Sequence, residues 1–250
     1  MNLNLNIRRL DEDMMEALSK ALLMHDTIEI VNLTSSLVRP EQALLPLARI
    51  ALPNHPSLQK LHLSYNRLES VAALGMSLQT NDHLLELYLD YNQIDTISAM
   101  ALAHGLTHNN TLKVLQLNCN KMGDEGGKEL ANALKTNNSL MQLGMNKNQL
   151  GLESARALTE ALEQNVTLTR LDLVENPGIP PPVIESLHMY IRANEVGRYA
   201  LREPLFPASW WSFVLEGIEP EMTFFFLKQK PELLARSEEY FARESAIKIE

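Results

Sequence analysis

Two histidines four residues apart, His104 and His108, have a type and spacing that could form a chemical site. On a helix this spacing places two imidazoles on one face, where they could share a metal ion. The single cysteine, Cys119, has no histidine pattern around it that would activate a nucleophile. A Gly-Lys pair at 127–128 is followed by a glutamate, where a phosphate-binding loop needs Ser or Thr. We therefore expect no enzyme activity, no cofactor and no metal site, and we interpret the histidines as an exposed pair.

Composition limits the class of protein further. With 250 residues, 45% of them hydrophobic, and one cysteine, the chain can bury a large core without disulfides. Its formal charge of −9 would repel a phosphate backbone, so we expect no nucleic acid partner. The N-terminus lacks the order of a secretory signal, and no apolar run approaches the ~18 residues of a membrane span. We expect a cytoplasmic protein with no membrane partner that is monomeric when alone.

A repeat organises residues 1–194 and must position any functional side chain there. Four consecutive copies begin at positions 83, 111, 139 and 167, each 28 residues after the last, and share the pattern L-x-x-L-x-L/M-x-x-N. Two irregular copies begin at 57 and 27, and an incomplete copy precedes them. Within each copy the apolar period changes from two to about 3.6, which indicates a strand followed by a helix. Stacking seven copies predicts a curved solenoid with a parallel sheet inside and helices outside.

Asparagines recur at two places in the repeat. An amide side chain can satisfy both donors and acceptors where the chain leaves the sheet. We therefore predict a buried ladder, and not a binding site, for the asparagines after the strands: Asn66, Asn92, Asn120, Asn148 and Asn176. A second set closes the helices, and we expect these residues to adopt the left-handed conformation that ends a helix: Asn81, Asn109, Asn137 and Asn165.

On these motifs the chain resembles the leucine-rich repeat proteins of the ribonuclease-inhibitor type, whose unit is a strand and a helix in 28 residues. The resemblance implies an α/β leucine-rich repeat solenoid and a protein partner. Relatives of this type include ribonuclease inhibitor, the activator of the Ran GTPase, tropomodulins, sensor regions of NOD-like receptors and effectors of intracellular bacteria. The chain lacks the many cysteines of ribonuclease inhibitor, and its copies do not alternate between two types.

The concave face of the sheet is the predicted binding surface, because alternate strand residues point away from the leucine core. Three of the four aromatic residues in 1–194 fall on or beside it, and tyrosine is enriched at interface hot spots. The alternative is an ordinary polar strand surface. Seven strands ~4.8 Å apart offer roughly 300 Å², short of the ~800 Å² of a standard interface, so a partner must also contact the rim or one end. The predicted partner-binding residues are Lys60, His62, Tyr65, Glu86, Tyr88, Asp90, Tyr91, Gln116, Asn118 and Asn146.

The period stops after residue 194, and we divide the chain there into a solenoid, 1–194, and an aromatic-rich unit, 195–250. Prolines in this unit predict helices at about 207–217, 220–229 and 231–247. We interpret the unit as a helical cap over the last repeat, the alternative being an aromatic surface for a partner or membrane.

For the whole chain we predict a non-enzymatic interaction module, an adaptor or a steric inhibitor or regulator of a partner protein. The alternatives are a GTPase-activating protein resembling the Ran activator, and a translocated bacterial effector that acts in the host cytosol. The identity of the partner is not encoded in any motif of the sequence.

Overall fold

The computed structural model of the protein describes residues 1–195, which form seven strands and seven helices in strict alternation. The strands are β1 (Asn2–Asn4), β2 (Ile30–Asn32), β3 (Lys60–His62), β4 (Glu86–Tyr88), β5 (Val114–Gln116), β6 (Gln142–Gly144) and β7 (Arg170–Asp172). The helices are α1 (Glu12–Leu23), α2 (Pro40–Pro46), α3 (Ala72–Leu78), α4 (Thr96–His108), α5 (Gly123–Leu134), α6 (Leu152–Gln164) and α7 (Pro181–Glu195). A π-helical turn, Leu47–Ala51, directly follows α2.

The strands form one parallel sheet in the order β1 to β7, so each repeat adds its strand beside the previous one. This confirms the predicted solenoid and the predicted repeat register. The first residues of the seven strands lie in one row across the sheet: Asn2, Ile30, Lys60, Glu86, Val114, Gln142 and Arg170.

The core lies between the sheet and the helices, and it is built almost entirely from aliphatic residues. The central residue of each strand from β2 to β7 is buried, as Leu87 and Leu115 illustrate. Helices α4, α5 and α6 each bury a leucine at the same repeat position, Leu102, Leu130 and Leu158. Each such side chain contributes about 1.5–3 kcal/mol of transfer free energy, and the contribution recurs with every repeat.

The predicted asparagine ladder after the strands is present, and all five side chains are buried. The Asn120 amide nitrogen donates to the carbonyl oxygens of Leu89 and Leu117, at 3.0 and 2.9 Å. Its Oδ1 accepts the backbone N–H of Ile94 at 3.0 Å. One side chain thus connects two repeats where no strand pairing is available, which confirms its structural role.

The asparagines that close the helices do not adopt the expected left-handed conformation. Asn109 has φ −88° and ψ 129°, and Asn165 has φ −78° and ψ 123°. Each side chain instead bridges repeats: the Asn109 amide nitrogen donates to the carbonyls of Leu78 and Asn81, and its Oδ1 accepts the N–H of Leu112. The prediction was wrong because a second ladder satisfies the backbone groups that a left-handed cap would otherwise satisfy.

The left-handed conformation occurs instead at the rim, at the residue before each ladder position. All seven repeats have a non-glycine residue there with φ between 53° and 61°, although this conformation costs an L-residue roughly 1–2 kcal/mol. The backbone N–H groups of Tyr91 and Cys119 each donate to a carbonyl of the next repeat at 2.8 Å. We call these seven residues the rim residues: Ile7, Ser35, Tyr65, Tyr91, Cys119, Lys147 and Glu175.

The chain divides into two compact units, Met1–Leu187 and a second that begins at His188. The predicted boundary after residue 194 and the cap at 195–250 stay predictions. The three helices predicted within 207–247 lie outside the described residues. In the described part of the chain, no helix has both the length and the apolar composition needed to cross a membrane.

Candidate functional site

The concave patch consists of four side chains from two adjacent strands: Lys60 and His62 on β3, and Glu86 and Tyr88 on β4. The parallel register pairs Lys60 with Glu86 and His62 with Tyr88. The Lys60 ammonium lies 2.7 Å from Glu86, and the His62 and Tyr88 rings stack with centroids 4.4 Å apart and planes 4° from parallel. Cross-strand pairing therefore brings together four of the ten predicted site residues.

Glu86 connects the two pairs of the concave patch, because the Tyr88 hydroxyl donates to its Oε2 at 2.7 Å. Burial favours the protonated carboxyl, but the hydrogen bonds from Lys60 and Tyr88 outweigh it and lower the pKa of Glu86. Burial, together with the bond to Glu86, raises the pKa of Tyr88 to about 12. At neutral pH the glutamate is thus an anion and the tyrosine a neutral donor, so the pair is held in one arrangement before any partner arrives.

His62 is neutral in this setting. Burial lowers its pKa, and although Glu86 opposes the shift, the neighbouring Lys60 reinforces it. A neutral imidazole can lie flat on the Tyr88 ring, as the parallel planes of the two rings show.

A second aromatic stack stands at the rim beside the concave patch. The rings of Tyr65 and Tyr91 lie 4.3 Å apart and 8° from parallel, and their side chains are 52% and 49% exposed. A hydrogen bond between the Tyr91 hydroxyl and Cys119, with a further bond to Tyr65, raises the pKa of Tyr91 to about 12. The two rings thus present a large, rigid surface to solvent at the level of β3 and β4.

The rim groove runs from this stack toward the later repeats. It is an open depression of about 500 Å³, lined by Ser64, Tyr65, Asp90, Tyr91, Asn118, Cys119, Asn146, Lys147, Val174 and Glu175. Lys147 and Glu175 form an ion pair of 2.9 Å at its far end. The groove is aromatic at one end and charged at the other, which suits an extended polar segment with an apolar anchor.

Three predicted site residues, Asp90, Asn118 and Asn146, turn out to bond along the sheet. The Asp90 Oδ1 accepts the backbone N–H of Asn118, the Asn118 Oδ1 accepts that of Asn146, and the Asn146 Oδ1 accepts that of Val174. Burial raises the pKa of Asp90 despite the hydrogen bonds from Asn118. These side chains therefore form the floor of the rim groove and hold its repeats together, which leaves less of their hydrogen-bonding capacity for a partner.

Gln116, the remaining predicted residue, covers the backbone of the next strand. Its Oε1 accepts from the Asn118 amide at 2.9 Å, and together they lie over Gly144. A Cβ at Gly144 would collide with the Gln116 side chain, so glycine there lets the amide lie flat. The predicted residues thus form an aromatic half at β3–β4 and an amide half at β5–β6.

Sequence reasoning did not include Ser64, Cys119, Lys147 and Glu175 among the site residues, although they line the rim groove. For Cys119, Lys147 and Glu175 the signal in the sequence was the constant position directly before the ladder asparagine, whereas Ser64 lies one residue further from it. The left-handed backbone at those three residues could not be inferred from residue types that normally avoid it.

The histidine pair lies away from this surface, on α4. His104 and His108 are exposed, with ring centroids 5.0 Å apart in an edge-to-face arrangement. Over residues 1–195, no group of three or more His, Cys, Asp or Glu side chains is arranged to hold a metal ion.

Comparison with known proteins identifies the repeat. Segments 54–77, 80–103 and 108–131 match the sequence profile of the leucine-rich repeat. The tropomodulin C-terminal domain of Caenorhabditis elegans superposes with a TM-score of 0.50 at 14% identity, over 75% of this chain and 96% of that chain. A structure of Leiomodin-1 Actin-Binding Site 2 gives a TM-score of 0.49 at 20% identity, over 56% of this chain and 83% of that chain. No curated protein matches the chain. Assignment to the ribonuclease-inhibitor type stays a prediction.

Proposed function

We propose that this leucine-rich repeat protein binds another protein through its concave patch and rim groove, acting as an adaptor or as a steric inhibitor of that partner. The observation that carries the proposal is the exposed stack of Tyr65 and Tyr91 beside the stack of His62 and Tyr88. At the other concave strand positions of the described chain, no aromatic residue occurs.

Preorganisation supports the aromatic end as the energetic centre of the interface. Each ring is held by its stacking neighbour, so little side-chain freedom is lost on binding. Tyr88 and Glu86 already satisfy each other, whereas Tyr65 and Tyr91 remain about half exposed. Burial of the Tyr65 and Tyr91 rings would therefore supply most of the binding affinity, and the polar groups of the concave patch would fix the orientation of the partner.

The rim groove also extends the contact area of the concave strands. Those strands alone offer roughly 300 Å², against about 800 Å² per partner in a standard interface. A partner that lies along the groove from Tyr65 to Glu175 contacts the edge of five repeats in addition to the strands.

The proposal is tested by capturing partners from the source cell with the full chain and measuring the affinity of the purified partner. Tyr65→Ala combined with Tyr91→Ala should weaken binding by about 2 kcal/mol or more, about thirtyfold, because both hot-spot rings are lost. The matched control is Met76→Ala with Ile97→Ala, which removes two large exposed apolar side chains from α3 and α4.

Both double variants should keep the thermal melting temperature of the parent, since none of the four side chains is buried. Equal affinity of the tyrosine variant and the parent for the captured partner would contradict the proposed surface. Activation of a GTPase and delivery as a bacterial effector remain alternative predictions, and an assay of GTP hydrolysis by Ran-type GTPases tests the first.

A further inference from the structure

Four arginines meet in one groove at the rim of the first three repeats. Arg8 and Arg9 follow β1, Arg39 precedes α2 and Arg67 follows the ladder residue of the third repeat. The groove has a volume of about 460 Å³, and no acidic residue lines it. We call this depression the arginine groove. It concentrates half of the eight arginines of residues 1–195 in a chain whose formal charge is −9.

None of the four arginines makes an ion pair or a side-chain hydrogen bond within residues 1–195. Two arginines elsewhere are paired with a carboxylate: Arg156 with Glu153 at 3.2 Å, and Arg170 with Asp172 at 3.1 Å.

Two acidic side chains close in sequence to the arginine groove accept backbone N–H groups. Asp11 accepts the N–H of Met14, and Glu41 accepts the N–H of Glu69, both at 3.0 Å. Four exposed guanidinium groups with free donors therefore create a local positive potential in an acidic protein.

Three apolar side chains, Leu37, Val38 and Pro40, line the arginine groove together with the arginines. Tyr65 lines both this groove and the rim groove. The two depressions therefore share one exposed ring, so a segment of the partner that lies in the rim groove can reach the arginine groove.

We propose that the arginine groove binds an acidic segment of the protein partner, with carboxylates on either side of an aliphatic side chain. Guanidinium groups bind carboxylates through paired N–H donors, and the apolar side chains that line the groove offer a contact for the aliphatic group. A nucleic acid backbone offers no such aliphatic group, and its length would bring it over the acidic remainder of the surface. This inference rests on the proposed function, because it assigns a second contact to the same partner.

The test uses the purified full chain and two labelled peptides, Glu-Glu-Leu-Glu-Glu and the uncharged Gln-Gln-Leu-Gln-Gln, in fluorescence anisotropy at low ionic strength. We expect the acidic peptide to bind and the uncharged peptide not to bind. The double variant Arg39→Gln with Arg67→Gln should bind the acidic peptide about tenfold more weakly or worse, since two paired contacts are lost. The matched control, Arg49→Gln with Arg156→Gln, makes the same change in net charge at exposed positions outside the groove and should change affinity less than about twofold.

Equal loss in the two double variants would overturn the proposal, because the binding would then depend on net charge alone. Competition by inorganic phosphate as effective as that by the acidic peptide would also overturn it and would identify a phosphate site. Absence of binding by the acidic peptide would overturn it as well. The peptide assay needs no cellular partner, so its failure and the failure of the tyrosine experiment are separate outcomes.

Discussion

His55 occupies a position that asparagine holds in the later repeats. It lies two residues before the start of its next copy, as Asn109 does, and it is fully buried. Its Nδ1 accepts the N–H of Ser57 at 3.2 Å, and its Nε2 lies 3.3 Å from the carbonyl oxygen of His25. These bonds require the neutral tautomer with its proton on Nε2, since a proton on Nδ1 would face the N–H of Ser57.

The bonds of His55 make stability dependent on pH. Burial lowers the pKa of His55 below the ordinary 6.5, and His83 lowers it further. The hydrogen bond to the His25 carbonyl and the charge of Asp26 raise the pKa but do not outweigh burial. Because the unfolded chain binds the proton more readily, the contribution of His55 to stability is complete above pH 6.5 and is lost as the pH falls further. We expect His55→Asn to keep the ladder and to flatten the decrease in unfolding free energy between about pH 7.5 and 5.5, as measured by urea denaturation.

The matched control for this change is His108→Asn, since His108 is exposed. It should retain the pH dependence of the parent. A His55→Asn variant with the same dependence as the parent would show that this ring does not control acid stability.

Two asparagines of the ladder that follows the strands, Asn120 and Asn148, differ in how many of their side-chain hydrogen bonds are made. Asn120 uses both its amide nitrogen and its Oδ1, whereas the buried Oδ1 of Asn148 has no partner among the described residues. In the repeat before Asn148, α5 begins at Gly123 with φ 65°, and the Gly123 N–H donates to the backbone oxygen of Asn148 and not to its Oδ1.

Alanine substitution should reveal this inequality. Asn120→Ala leaves the Ile94 N–H without its partner and removes one of the two amide donors to each of the Leu89 and Leu117 carbonyls, and we expect a loss of about 1–3 kcal/mol. Asn148→Ala should cost about 1 kcal/mol less, because it also removes an unsatisfied acceptor. Urea unfolding midpoints measure both, and equal losses would contradict the assigned bonding.

At the scale of elements, α3 and α4 approach each other through two glycines. A Cβ at Gly75 would collide with the carbonyl of Ala101, and one at Gly105 would lie 2.5 Å from the carbonyl oxygen of Gly75. Because backbone stands on both sides, neither helix can admit a side chain at these positions without moving.

Helix propensity alone predicts that Gly105→Ala stabilises α4 by about 1 kcal/mol. Packing predicts the opposite sign, and we expect a net loss of about 1–3 kcal/mol. Thr107→Ala, at an exposed position of the same helix, should change stability by less than about 0.5 kcal/mol. Thermal or urea unfolding of both variants tests this, and a stabilised Gly105→Ala variant would refute the close approach.

The strands and helices were predictable because the same sequence pattern recurs in each copy of the repeat. The change of period from two to 3.6 located each strand, and the register placed Lys60, Glu86 and Tyr88 correctly on the concave face. The contacts between repeats were not predictable, since they depend on backbone conformation. The rim residues and the bridging role of Asn109 are examples in which a non-local hydrogen bond overrides the local preference of the residue.

At the scale of the whole molecule, the net charge does not indicate the local clustering of arginines. The value of −9 led to the expectation of no nucleic acid partner, yet the arginine groove is a locally basic surface. Its members belong to three repeats. Arg9 and Arg67 share the position two residues after the rim residue, but Arg8 and Arg39 occupy other positions, so no single motif joins the four in the sequence. Only the stacking of the repeats brings Arg8, Arg39 and Arg67 together.

The final prediction concerns the stability of the last repeat. A solenoid leaves the apolar side of its terminal repeat open to water unless another segment covers it, and we predict that the aromatic residues of 195–250 cover it. A chain shortened to end at residue 194 should therefore have a lower urea midpoint than the full chain and should aggregate more at equal concentration. A chain ending at residue 247, after the last predicted helix, should match the full chain in both respects. If all three chains unfold at the same midpoint and remain equally soluble, 195–250 is not a cap, and its aromatic residues would be candidates for a second binding surface.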